Sequence, residues 1–414
     1  MLRPRRLLFR SPVLSRREAR YLVMIRGARS IGQGALAVDF ALYLHALHWT
    51  APQIGALFMV ALLVSALGAL IIGPLSDNRG RKRFLIGYEI VQVAASLLAL
   101  ASSSPLALIV AAIAGGFGHG LNGGAGPFAP VELAWLSTTA EAKDRAALYS
   151  INTAAGFSGM ALGSVLASLP HFFAMILSGA TSYRPLFVLV LISALVGLIL
   201  LARLPEPTRE TESDTDQGES HSVTRTENRK LLQLLGVNAL NGLGIGLLGP
   251  MMAYWFAIRF HHGPLSIGPV MGLALVVTAA TSLMVGRLTH RFGVMRSILT
   301  MRYLGLVVLV LLPLMPTFGM AACLYILRSA LNRGTVGARQ ALNIGIVRAH
   351  RRGLAASLSN ASTQVPRALG PVVAGLLYHA GFLTLPFFIA GGFQAAYLVA
   401  YGRLFADHPA APAS

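Results

Sequence analysis

The sequence predicts an all-α integral membrane protein that crosses a bilayer about twelve times, and three observations predict it. Of its 414 residues 55% are hydrophobic and only 12% are charged, with a mean hydropathy of +0.65. A soluble domain of that composition would leave large apolar areas in water, because its surface is large relative to its volume. The apolar runs reach about 20 residues without period-two alternation, which is the length of a helical span and excludes a β-barrel. Arginines flank these runs, while seven of the fifteen acidic residues fall between Glu206 and Glu227. A net charge of +19 distributed in this way marks loops beside a membrane rather than a nucleic-acid-binding face.

The spans expected in the first half are 22–46, 53–74, 84–103, 106–134, 147–169 and 185–203. Those of the second half are 232–257, 266–286, 298–315, 318–340, 355–378 and 384–404. Between them lies a stretch rich in Glu, Asp, Ser, Thr and Arg that cannot bury enough apolar surface to fold alone. The expected division is a bundle at 1–204, a flexible linker at 205–230 and a bundle at 231–414. Alternate loops carry the basic residues. One set holds Arg3, Arg5, Arg6, Arg10, Arg16, Arg17, Arg20, Arg79, Arg81, Lys82, Arg83, Lys143 and Arg145, then Arg287, Arg291, Arg296, Arg348, Arg351 and Arg352. The other set holds little beyond Arg184 and Arg259. Short basic loops stay in the cytoplasm, so both termini and the linker are expected inside a cell inner membrane. No small-residue cleavage site follows the arginine-rich start, and the single cysteine, Cys323, excludes a disulfide within the chain.

The two halves repeat. The loop after the second span reads Gly73-Pro-Leu-Ser-Asp77-Asn-Arg79-Gly80-Arg81-Lys82-Arg83, and the loop after the eighth reads Gly286-Arg-Leu-Thr-His290-Arg-Phe-Gly293-Val-Met-Arg296. Both share Gly, Leu two later, Gly seven later and Arg ten later, at a separation of 213 residues. A second echo pairs Arg145 to Asn152 and Ala161-Leu-Gly163 with Arg352 to Asn360 and Ala368-Leu-Gly370. Duplicated halves are typical of transporters whose site lies where the repeats meet.

The first of these loops resembles the signature between spans two and three of the major facilitator superfamily. With the spans, the linker and the repeat, the resemblance covers nearly the whole chain. It implies two pseudo-symmetric six-helix bundles that rock about a central cavity, and transport driven by an ion or solute gradient without a cofactor. It assigns Gly73, Asp77, Arg79, Gly80 and Arg81 to a latch for the outward-facing state, with Glu132 as a charge partner, and a weaker latch where His290 replaces the aspartate. Length and linker are similar to the twelve-helix drug-exporter branch, which implies proton-coupled efflux. The antiporter pattern of that branch in span five is not matched. Gly156, Gly159 and Gly163 stand there instead, a small-residue face suited to close packing.

Ionisable groups inside a membrane cost at least a few kcal/mol, about 2.5–3.5 kcal/mol on insertion scales, so they face cavities or partners. Arg328 lies about eleven residues into span ten, and Arg367 has a similar depth in span eleven, just after Pro366. Such guanidiniums suit a carboxylate or phosphate; the alternative is neutralisation by backbone carbonyls or by acids of the other half. Asp39 in span one is a candidate for proton coupling or substrate contact, or for an ion pair with Arg29 or a second-half arginine. Glu89 is expected in the charge network at the inner interface. The resemblance makes Gln33, Asn122 and Asn241 cavity candidates, with Asn238 nearby; their alternative role is interhelical hydrogen bonding worth about 1–2 kcal/mol each. His119, in a glycine-rich stretch, reads as a satisfied polar group ahead of a titrating switch. Tyr43, Tyr254 and Trp255 fit an aromatic belt at the interface. His261 and His262 make no specific metal site.

No Walker loop, His-Glu-x-x-His or Gly-x-Ser-x-Gly is present, so the chain reads as no enzyme, with no cofactor and no metal. The expected partners are a small solute, anionic or lipophilic, the lipid bilayer and protons, with no nucleic acid, in a monomer. The alternative to efflux is uptake or exchange of an organic anion metabolite; a transporter-like sensor and a channel are weaker, since the tails and linker are short and a two-fold repeat with a latch suits alternating access.

Overall fold

In a computed structural model the described residues are 16–120, 128–141, 144–206, 221–336, 339 and 352–405, and no strand occurs among them. The first half runs α1 (Arg17–Ala46), α2 (Ala51–Arg79), α3 (Arg81–Ala101), α4 (Pro105–Gly115), α5 (Ala129–Thr138), α6 (Arg145–Leu166), the short α7 (Leu169–Phe173) and α8 (Arg184–Ala202). The second runs α9 (His221–Gly246), α10 (Met252–Phe260), α11 (Pro264–Phe292), α12 (Val294–Leu311), α13 (Phe318–Arg333), α14 (Arg352–His379) and α15 (Leu385–Phe405).

Local chemistry sets the helix ends. Thr50 and Gln53 form a capping box at the start of α2, where the Thr50 amide donates to Gln53 Oε1 at 2.9 Å. The repeated glycine of the two loops is the turn itself. Gly80 (φ 100°) and Gly293 (φ 82°) each join two long helices through a single residue in a conformation that a Cβ disfavours.

Seven helical segments are long and apolar enough to cross a membrane among the described residues. The remaining expected spans are broken or loaded with polar groups. Span four divides into α4 and α5, with positive φ at Gly116, Gly118 and Gly120. Span seven divides into α9 and α10 around Gly249-Pro250, and Arg26, Arg29 and Asp39 break the apolar run of the continuous helix α1. The linker expected at 205–230 is helical from His221, because α9 extends span seven by about three turns; residues 207–220 lie outside the described residues.

The molecule is apolar outside and polar inside. Leu106, Ile71, Met284, Val307 and Ile199 are exposed, whereas Arg29, Glu89, Glu132 and Arg302 are buried. That inversion fits lipid, where the solvent is as apolar as a core. Helix α1 packs along α6 and α8, α9 along α14 and α15, and the halves meet where α2 packs on α14 and α6 on α11. Call the side holding Gly80, Arg145 and Arg16 the basic face. Toward the opposite face one apolar core is shared by both halves, running from Phe40, Phe58 and Phe187 to Trp255 and Phe387. Toward the basic face the core is two separate clusters, one around Trp135 and the other around Tyr397 and Tyr401.

The glycines of α6 explain its contact with α1. A Cβ on Gly163 would overlap the Ile31 carbonyl and lie 2.9 Å from the Ala35 nitrogen, and one on Gly159 would lie 2.9 Å from Ser30 Cβ. Gly163→Leu is expected to cost about 1–3 kcal/mol or more by overpacking, read as a lower midpoint of thermal unfolding in detergent. Gly392→Ala, where the added methyl meets nothing within 4 Å, should leave that midpoint unchanged.

Candidate functional site

Three helices of the first half converge on one buried ion cluster. Arg29 on α1 donates from Nε to Glu89 Oε1 at 2.9 Å and from Nη2 to the same oxygen at 2.5 Å. Its Nη1 reaches Glu132 Oε2 on α5 at 2.9 Å. Asn152 of α6 donates to Glu132 Oε1 at 3.4 Å, and the Tyr88 ring lies 5.2 Å from the guanidinium. Arg26 is buried one turn earlier on α1. Gly197 on α8 leaves room for the Glu89 carboxyl, which a Cβ there would approach to 2.8 Å.

Two expectations change here. Glu89 joins a charge network as expected, but a deeper one: α3 starts at Arg81, so Glu89 is about 12 Å into the helix, fully buried and paired with Arg29. Glu132, expected as the charge partner of the loop after α2, spends its carboxylate on Arg29. Asp39 is fully buried, and neither carboxylate oxygen has a hydrogen-bond partner among the described residues. The ion pair with Arg29 is not formed, since Arg29 is committed to the two glutamates. Gln33 lines a cavity of about 30 Å³ with Arg29, Glu89, Gln92, His119 and Ser193, room for about one water.

The second half centres on a residue that sequence reasoning missed. Arg302 of α12 is buried, and its Nη2 donates to Asn241 Oδ1 at 2.7 Å and Gln394 Oε1 at 2.5 Å. Its guanidinium carbon lies 4.5 Å from the centre of the Tyr397 ring. Gln394 Nε2 in turn donates to Asn241 Oδ1 at 3.3 Å. A span nine beginning at residue 298 would place Arg302 just over one turn from its end. Helix α12 begins at Val294, which puts it about 12 Å deep. Asn241 is therefore tied to an arginine, and Asn238 joins α9 to α14 through Ser359 Oγ at 2.8 Å.

Arg367 bridges the halves. Its Nη1 donates to Gln364 Oε1 at 3.0 Å and its Nη2 to the His119 carbonyl at 2.5 Å, in the broken part of span four. Beside it the two breaks touch, a Cβ on Gly120 lying 3.2 Å from the Gly249 carbonyl oxygen. Arg328 Nε on α13 has no hydrogen-bond partner among the described residues. Arg302 is within electrostatic range of Arg339 and Arg328, and Arg333 within range of Arg328 and Arg367. From Leu231 to Ala406 the sequence has thirteen arginines and neither an aspartate nor a glutamate. Both ion pairs among the described residues belong to Arg29 of the first half.

The loop after α2 works by capping. Arg81 Nη1 donates to the Ala134 carbonyl at 3.0 Å, joined on the end of α5 by Arg145 Nε to Ser137 O at 3.1 Å and Arg16 Nη1 to Thr138 O at 3.3 Å. Lys82 Nζ reaches the carbonyls of Ala202 and Leu204 at the end of α8, and the Lys82 amide donates to Glu206 Oε1 at 3.2 Å. Cations there meet the unpaired carbonyls and the negative end of the helix dipole. Arg79 is exposed. The side chains of Asp77 and His290, residue Gly73 beyond its helical backbone, and Asn122, Lys143, Arg348 and Arg351 lie outside the described residues.

The aromatic belt is also corrected. Trp255 is fully buried and donates to the Leu383 carbonyl at 2.8 Å, Tyr43 is buried with its hydroxyl on Ser103 Oγ at 3.2 Å, and Tyr254 packs edge-on to His45. They belong to the shared core. His262 stacks on Phe318 and contacts Ser266, and among the described residues no three His, Cys, Asp or Glu gather as a metal site would need.

The family model described as Major Facilitator Superfamily matches residues 22–236 and again 234–414. An uncharacterized membrane protein of Saccharomyces cerevisiae is 22% identical over 399 residues, 88% of each chain. Among solved structures the nucleoside transporter NupG superposes with a TM-score of 0.71 at 12% identity, covering 94% of this chain and 99% of that one. A D-xylose–proton symporter gives 0.69 at 15%, with 95% and 98% covered. A bacterial homolog of the human lysosomal transporter Spinster, in an inward-facing and occupied conformation, gives 0.69 at 18%, again with 95% and 98% covered. At these identities the likeness is one of fold.

Proposed function

This chain belongs to the Major Facilitator Superfamily, and we propose that it is a secondary transporter that moves a small anionic organic solute by alternating access. It is a multi-pass membrane protein, and the family relation supports transport. The observation that carries the anionic reading is the second half, with buried arginines, thirteen arginines in sequence and no acid between Leu231 and Ala406. Neutral groups such as Asn241, Gln394 and Gln364 orient these guanidiniums but leave their charge, so a ligand of opposite sign is the economical complement.

The finer reading is export across a cell inner membrane with both termini cytoplasmic. Basic loops on one face support the orientation, and the similarity to drug exporters supports the direction. Proton coupling is assigned to the first half, where Asp39, Glu89 and Glu132 are the buried acids, Asp39 being the one that lacks a hydrogen-bond partner among the described residues. The basic loop at 79–83 acts as the latch by holding the ends of α5 and α8, with Glu206 as its acidic neighbour.

Proteoliposomes with an imposed pH gradient test this reading with labelled organic anions, cations and neutral solutes. Gradient-driven movement of an anion is the expected result. Movement confined to lipophilic cations would overturn the anionic site and shift attention to Asp39.

A further inference from the structure

We infer that the solute carries two or more negative charges and that Arg302, Arg328, Arg333 and Arg339 hold it as a column in the second half. This rests on the anionic reading above and goes further, by fixing the valence and the residues.

The four guanidiniums come from α12, from α13 and from just beyond α13. They lie in mutual electrostatic range as a chain, Arg339 to Arg302 to Arg328 to Arg333. Each has a buried nitrogen with no hydrogen-bond partner among the described residues: Nε of Arg302, Arg328 and Arg339, and Nη1 of Arg333. The partners that Arg302 and Arg339 do have, Asn241, Gln394 and Tyr397, are neutral; they orient a guanidinium without cancelling its charge. No acid of the membrane-spanning part of the second half can help, because the sequence has none between Leu231 and Ala406. Glu89 and Glu132 of the first half are spent on Arg29.

The positions differ in depth. Helices α12 and α13 run in opposite directions, with Arg302 about 12 Å from the start of one, and Arg328 and Arg333 about 15 and 22 Å from the start of the other. A single carboxylate presents its two oxygens at one level of this column and neutralises one charge. Four cations with four open donors are matched by an anion with several acceptor oxygens spread along it, a phosphate ester or a polycarboxylate. Arg367 is set apart from the column, because its guanidinium is engaged by Gln364 and by the His119 carbonyl of the other half.

Purified full-length protein in detergent, held at constant ionic strength, is titrated with acetate, succinate, citrate and pyrophosphate, and binding is read by calorimetry. Affinity is expected to rise at least tenfold with each added charge. Arg302→Gln and Arg328→Gln should each weaken citrate and pyrophosphate binding at least tenfold. Arg302→Lys, which keeps the charge, should retain the dependence on valence, and Arg403→Gln at the exposed end of α15 should change nothing. Acetate binding as tightly as citrate, or a dependence on valence that survives both glutamine variants, would overturn the column while leaving an anionic solute in place. Binding of none of these anions, together with uptake of cations alone in the liposome assay, would remove both readings.

Discussion

Arg29→Met is expected to be the most damaging single substitution in the first half. It would leave Glu89 and Glu132, both fully or nearly fully buried, facing each other with their shared cation gone. Breaking one partner out of a buried pair costs about 3–5 kcal/mol, because the remaining charge stays desolvated. Here one cation serves two acids, so the upper end applies. The effect should appear as poor yield and a lowered midpoint of thermal unfolding in detergent. The triple variant Arg29→Met, Glu89→Gln, Glu132→Gln should recover most of that stability, since a neutral cluster carries no desolvated charge. A single variant as stable as the parent would mean that the ion cluster does not form.

Arg367→Ala is expected to cut transport about 10–100-fold while leaving membrane insertion intact. Two bonds to a charged group are lost, one across the halves at His119 and one to Gln364, each worth about 1.5–3 kcal/mol. At about 1.4 kcal/mol per factor of ten, even the weaker bond alone gives the lower limit. The position adds a second effect. The His119 carbonyl lies in the break of span four, and the adjacent Gly120 packs against the break of span seven. Removing the bridge should therefore change the rate at which the halves separate. Binding and single-turnover transport, measured side by side, separate the two. Unchanged values in both would return Arg367 to a packing role.

Much of the architecture was legible in the chain, for reasons particular to each element. Apolar runs such as 53–74 and 185–203 report their own transfer into lipid, residue by residue, so the expected spans two and six coincide with α2 and α8. The repeated glycine at 80 and 293 needs only its own backbone conformation to make the turn. The candidate site was partly legible. Arg328 and Arg367 were visible as charges deep in apolar runs, and Asp39 as a lone acid. Arg302 was not, because an error of a few residues in the start of a span turns a buried arginine into a terminal one. Glu132 was placed at the latch for the same reason, since depth and rotation on a helix do not appear in a hydropathy profile.

What the sequence by itself determined is the solvent of this protein, its helical class, its two-fold repeat and the sign of the charge in each half. These follow from local hydropathy and residue identity, which act additively along the chain. Only the tertiary structure decided who meets whom: Arg29 with Glu89 and Glu132 across 60 and 103 residues, Arg302 with Asn241 and Gln394, Arg367 with His119 of the other half. Those choices depend on how far one helix slides and turns against the next. Close approaches such as Gly163 on Ile31 set that register, and no residue carries it alone.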